Sequence, residues 1–238
     1  MNLDEFEFGS DIDVEDSPRA SRGFVFDVET GAGDRWGDPE WCANFRSRLR
    51  PRGNLRDELK IAADIDEKFE AARSKAALSP LFGRVRAIGA AELVGGAPRV
   101  RIFANDREDE RAILLAFFEW IRDLATDPRD VLIGGFNIRR FDVPFVSVRA
   151  AMLGIAPPRA WPHPKDWRRI LDPMDLDLSG ESALRHWLDS FGIQQKLETG
   201  EHDNPSTMPL AELLPYLDRD VSSEHALVMN LLPYLSRS

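Results

Sequence analysis

A period-two pattern is the first signal along the chain. From Gly23 to Val28, Phe24, Phe26 and Val28 alternate with Val25, Asp27 and Glu29, which predicts a strand, and TGAGD supplies a turn after it. A segment with Trp36, Trp41 and the arginines Arg46, Arg48, Arg50 and Arg52 follows. The spacing then changes to that of a helix from about Asn54 to Ala77, through Leu55, Leu59, Ala62, Phe69 and Ala76, with Asp66 interrupting it and SPLFG stopping it. RVRAIGAAEL and PRVRIFA, separated by Gly95, Gly96 and Pro98, predict an antiparallel hairpin. NDREDERAILLAFFEWIRDLA predicts an amphipathic helix with an acidic first turn, and VLIGGF a short buried strand. FDVPFVSVRAAMLGI reads as a helix with Pro144 in its first turn. A Pro-rich loop with Trp161 and Trp167 leads to a strand near RRILDPMDL, and two helices follow, GESALRHWLDSFG and a long one from about Leu210 to Tyr234.

This order predicts an α/β fold: a mixed sheet of about five strands with helices on both faces, and a helical insertion at about 31–82 after the first strand. Residues 1–20 are acidic and rich in turn formers (Gly9, Ser10, Ser17, Pro18), so they read as a flexible arm ahead of one domain over 21–238. The alternative for the arm is a short edge strand through Phe6 and Phe8.

Composition narrows the classes. The single Cys42 excludes a disulfide framework and a cysteine zinc site, so a reducing cytoplasm is the expectation. The opening residues lack a basic region followed by an apolar run, and no stretch approaches the ~18 apolar residues of a membrane span, so neither a secretory leader nor a membrane partner is expected. A net charge of −10 argues against a nucleic-acid binder. Binding depends on the local field, however, and metal can neutralise clustered acids.

The chemistry starts at Asp27 and Glu29. Residues two apart on a strand share a face, and two carboxylates there repel unless a cation joins them or one is protonated. A hard divalent ion such as Mg²⁺ or Mn²⁺ resolves the conflict. Asp142 stands where a helix begins, and its plain alternative is an N-cap. In YLDRD, Tyr216 and Asp220 are four apart and share a helix face, while Asp218 points elsewhere; exposed acidic residues on a helix are the ordinary alternative. His163, His186, His202 and His225 show no metal-cage spacing. Asp172, Asp175 and Asp177 lack the Gly and terminal Glu of a calcium loop and read as structural.

Taken in order, these segments resemble the DnaQ-like 3′-to-5′ exonucleases, which have a ribonuclease H-like fold. FDVET resembles the family's D-x-E motif, FNIRRFD its second motif, and YLDRD its third motif in the tyrosine form. AALSPLFGRVRAIGA is similar to stand-alone exonucleases related to the proofreading domain of family B polymerases, in which a helical insertion also follows the first motif. The resemblance implies that Asp27, Glu29, Asp142 and Asp220 bind two divalent ions, Mg²⁺ or Mn²⁺, with Asp27 bridging them. Tyr216 would then position the attacking water. Pro215 occupies the position where the histidine subtype needs His, which leaves the tyrosine (DEDDy) subtype. Asn137 and Phe141 would meet the terminal nucleotide, with a core position as the alternative for Phe141; Arg139 and Arg140, between Asn137 and Asp142, stand where at least one could meet a phosphate, with a solvated loop as the alternative. The implied partner is single-stranded nucleic acid, DNA favoured over RNA, with a polymerase or repair partner in trans. An exoribonuclease of the same fold and a non-catalytic nucleic-acid-binding module stay open as alternatives.

Overall fold

The computed structural model describes residues 23–124, 131–163, 169–176, 183–193 and 204–235. Its centre is β1 (Gly23–Ala32), which pairs antiparallel with β2 (Gly83–Glu92) along its whole length, from Phe24 opposite Glu92 to Ala32 opposite Gly83. The strand therefore runs through the predicted TGAGD turn. Pairing with β2 overrides the glycines, and the buried Thr30 donates its hydroxyl hydrogen bond to the Ala77 carbonyl at 2.7 Å. β3 (Arg101–Phe103) completes the predicted hairpin. On the other side of β1, β4 (Leu132–Gly134) runs parallel to Gly23–Val25 alone, and β5 (Ile170–Leu171) pairs with β4. The result is a mixed five-stranded sheet of order β3-β2-β1-β4-β5, the ribonuclease H-like arrangement.

Alternation along β1 divides the core between two faces. Phe24, Phe26 and Val28 pack with Phe117, Phe118 and Phe145 beneath α3 (Glu110–Leu124) and α4 (Asp142–Met152). Each such fully buried side chain contributes about 1.5–3 kcal/mol. Val25, Ala87 and Ala91 pack on the opposite face against Leu213, Leu217, Val221 and Val228 of α6 (Leu210–Leu235). Gly89 permits this close approach, because a Cβ there would lie 2.7 Å from Val221. Asp27 and Glu29 share the face of Val25, so the strand aims both at α6.

The predicted insertion holds α1 (Pro39–Arg48) and α2 (Glu58–Ser74). Asp38 caps α1 through the N–H groups of Glu40 and Trp41, and Asp57 caps α2 through those of Leu59 and Lys60. The second cap explains why α2 starts later than the apolar spacing suggests. Trp36 and Trp41 form an aromatic cluster with Phe45, Phe69 and Phe82, so they build the insertion's own core. Trp161 is buried and donates to the Ser147 hydroxyl at 2.9 Å, an anchor for its loop. α5 (Leu184–Ser190) packs on α6 through Leu188. The acidic arm, its alternative edge strand, Trp167, Asp177 and His202 lie outside the described residues. No described helix is long and apolar enough to cross a membrane.

Candidate active site

The site opens where β1 loses a neighbour. Beyond Val25 no β4 residue pairs with it, and the Val28 N–H is taken by a side chain, donating to Asp142 Oδ1 at 3.2 Å. Asp142 is the first residue of α4, one past the N-cap position held by Phe141, and its carboxylate fastens α4 to the central strand. The structure thus departs from the plain N-cap alternative.

The loop between β4 and α4 is held in shape by its backbone and by one buried carboxylate. Gly135 has a φ of 155° and Asn137 a φ of 61°, a left-handed conformation that Asn tolerates better than most residues. Asp172 accepts hydrogen bonds from the N–H groups of Asn137 (2.9 Å), Arg139 (3.1 Å) and Met174 (3.1 Å). This confirms a structural task for Asp172. Asp175 has one too, pairing with Arg139 at 2.7 Å, and Arg139 further donates to the Ile170 carbonyl. Arg139 is therefore committed to the scaffold, whereas Arg140 lines the cleft with Asn137 and Phe141. Phe141 serves both readings, since its ring lies 5.4 Å from Phe145 while it borders the cleft.

On the opposite wall, Tyr216, Asp220 and Glu224 follow one another at intervals of four on α6 and share its inward stripe. Asp218 is exposed. Carboxylate oxygens of Asp27, Glu29 and Asp220 lie within 4.8 Å of one another. The eight side chains singled out in the sequence, Asp27, Glu29, Asn137, Arg140, Phe141, Asp142, Tyr216 and Asp220, border one cleft of about 500 Å³. That is ample for a nucleotide-sized group.

The electrostatics show what this convergence costs. Burial, reinforced by Asp220, raises Asp27 to about 7, and burial with Asp27 and Asp220 raises Glu29 to about 9. Asp220 rises to about 6 on burial, opposed by a hydrogen bond from the Tyr216 hydroxyl and by Arg219. Asp142 is pushed well up by burial and Asp27. Tyr216 is pushed up by burial and the adjoining carboxylates, so it stays a neutral phenol that donates to Asp220. Such crowding of oxygen donors, with too little positive charge to balance it, fits hard divalent cations.

Two contributors were not singled out in the sequence. Arg86 is the extra residue at a β-bulge, where Glu29 faces Ala87 and Thr30 faces Val85. It is buried, lowers the cost of ionising Glu29, pairs with Glu108 at 2.8 Å, and donates to the Pro205 and Met208 carbonyls that lead into α6. A bulge leaves no mark in the apolar pattern. Glu224 did leave a mark, since it follows Asp220 by the same interval that separates Asp220 from Tyr216.

No protein-family model matches the chain. A 59-residue stretch is 48% identical to the DNA polymerase delta catalytic subunit of Arabidopsis thaliana, covering 25% of this chain and 5% of that subunit. Among solved structures, the family B DNA polymerase of the hyperthermophilic archaeon Pyrobaculum calidifontis matches with a TM-score of 0.55 at 18% identity, over 90% of this chain and 25% of that one. The chain thus shares its fold with a segment of a family B DNA polymerase and a short run of sequence with another DNA polymerase subunit, each far longer than itself.

Proposed function

We propose that the chain is a metal-dependent 3′-to-5′ exonuclease of the tyrosine (DEDDy) type, hydrolysing phosphodiester bonds from the 3′ end of single-stranded DNA. The observation that carries this reading is the meeting of Asp27, Glu29 and Asp220 within 4.8 Å, with the Tyr216 hydroxyl bonded to Asp220 and Asp142 held by the Val28 N–H next to Asp27. Short sequence similarity to a DNA polymerase subunit favours DNA over RNA as the substrate.

Two divalent ions, Mg²⁺ or Mn²⁺, would neutralise the scissile phosphate, acidify a bound water and stabilise the departing 3′ oxygen. Asp27, which adjoins Glu29 and Asp220 and bears on Asp142, would serve both ions. Glu29 and Asp220 would complete the site of one ion, and Asp142 would hold the other. The neutral Tyr216 hydroxyl cannot take a proton from water at ordinary pH; it orients the attacking water beside Asp220. Across the cleft, Arg140 meets a phosphate while Asn137 and Phe141 hold the terminal nucleotide. Stacking of this kind is worth about 1–3 kcal/mol per base. A polymerase or repair factor acting in trans would deliver the frayed end.

The test uses matched 5′-labelled DNA and RNA single strands incubated with Mg²⁺, Mn²⁺ or EDTA. The proposal expects a stepwise ladder from the 3′ end on DNA that EDTA abolishes. Internal fragments, or cleavage in EDTA, contradict it, and faster loss of the RNA strand reassigns the substrate.

A further inference from the structure

We propose that Glu224 is a fifth carboxylate of the cation site, serving the second cation position beside Asp27 and Asp142. The inference rests on the nuclease reading above and adds a residue that the three motifs do not contain.

Glu224 is 4% exposed and borders the cleft from the stripe of α6 that carries Tyr216 and Asp220. The Phe136 N–H donates to its carboxylate, while Oε2 has no hydrogen-bond partner among the described residues. Oε2 lies against the backbone of Gly135, 3.2 Å from where a Cβ would stand. A Cβ at that position would also run into Ile138 and, at 2.8 Å, the Phe26 carbonyl, so Oε2 sits in a tightly closed corner of the cleft. Asp27, Asp142 and Asp220 all bear on it electrostatically.

Other buried carboxylates have a cationic side chain or several donors of their own. Asp172 accepts three backbone N–H groups, Glu110 accepts the Val85 N–H at 2.8 Å and the Nε and Nη2 donors of Arg149, and Asp64, which also leaves one oxygen without a hydrogen bond, pairs with Arg52 and Lys68 at 2.9 Å. Native structures rarely leave a buried polar atom without a partner. A buried carboxylate oxygen without a partner, on a side chain that lines the same cleft as four other carboxylates, is the arrangement a divalent cation completes. Its neighbours also fix which position it serves. Asp27, Glu29 and Asp220 form the close group of three, whereas Glu224 lies outside it, against Gly135 and the Phe136 N–H of the loop that leads to Asp142.

The test is Mn²⁺ binding to the metal-free chain, read from the electron paramagnetic resonance of free Mn²⁺, together with thermal melts. Wild type is expected to bind two ions. Glu224→Gln is expected to keep the first and weaken the second on the order of tenfold or more, while Asp218→Asn on the exposed side of α6 changes neither. Without cation, Glu224→Gln is expected to melt no lower than wild type, and its Mn²⁺-induced rise is smaller. Should that variant fail to fold, Glu224→Asp replaces it, with weakened second-site binding as the supporting result. Two ions bound with wild-type affinity by either variant, or a wild type that binds one, overturns the role of Glu224 and leaves the nuclease reading to the cleavage assay. A wild type that binds none overturns both.

Discussion

Asp27 stands among the other acids of the cleft: its carboxylate lies within 4.8 Å of those of Glu29 and Asp220, and it bears on Asp142 as well. A side chain so placed is hard to replace, and Asp27→Ala is expected to reduce cleavage of a labelled single strand below detection. Tyr216 is different. Its hydroxyl stays un-ionised and is proposed only to orient the water, so Tyr216→Phe is expected to lower kcat by about 10- to 100-fold and leave measurable activity in the same assay. Equal loss in both variants would contradict the division of labour. These residues were legible in the sequence because each lies at a spacing that fixes its face: two on a strand, four on a helix. Arg86 was not legible, since its exposure to Glu29 depends on an irregularity in pairing between two strands. Nor was the clamp that Asp172 puts on Asn137 and Arg139, which lie more than thirty residues away and present backbone groups without sequence identity.

At the scale of elements, the site is a matter of how closely α6 lies on β1 and β2. The succession of strands along the chain and the hairpin could be read from the apolar pattern, as could the helices on both faces; the order β3-β2-β1-β4-β5 within the sheet could not. The true length of β1 could not, because its last residues are stabilised by β2 and by the insertion through Thr30. α6 approaches because Gly89 has no side chain beneath Leu217 and Val221. Gly89→Val is expected to push α6 outward and separate Asp220 from Asp27 and Glu29 without altering any cleft residue. Overpacking of this kind costs about 1–3 kcal/mol, and a displacement of about 1 Å at a reacting centre can cost on the order of 100-fold in rate. A Gly89→Val variant that is folded by circular dichroism yet cleaves at the wild-type rate would contradict this account of α6.

For the whole molecule, the raised carboxylates predict how stability depends on pH. Asp27 and Glu29 titrate at about 7 and 9 in the fold against ordinary values of 3.8 and 4.5, so the folded chain holds protons that the unfolded chain has released. Their contribution is complete below their ordinary values and is lost as pH rises through the folded ones. His225, held neutral by burial, works in the opposite sense below its ordinary 6.5, so the decline is cleanest above that. The melting temperature of the metal-free protein is therefore expected to fall from about pH 7 to about pH 9, and Mn²⁺ is expected to flatten the slope. A flat profile without cation would contradict the crowding described for the cleft. The same crowding makes sense of a net charge of −10 in a chain read as acting on DNA, because part of that charge is gathered where cations would offset it.

The most direct measurement is a time course on a 5′-labelled single-stranded DNA with Mn²⁺, run side by side on wild type and on Asp27→Ala purified in parallel. The account predicts that wild type shortens the strand one nucleotide at a time from the 3′ end and that Asp27→Ala leaves it intact. Identical ladders from the two proteins, or a strand left intact by wild type, would contradict it.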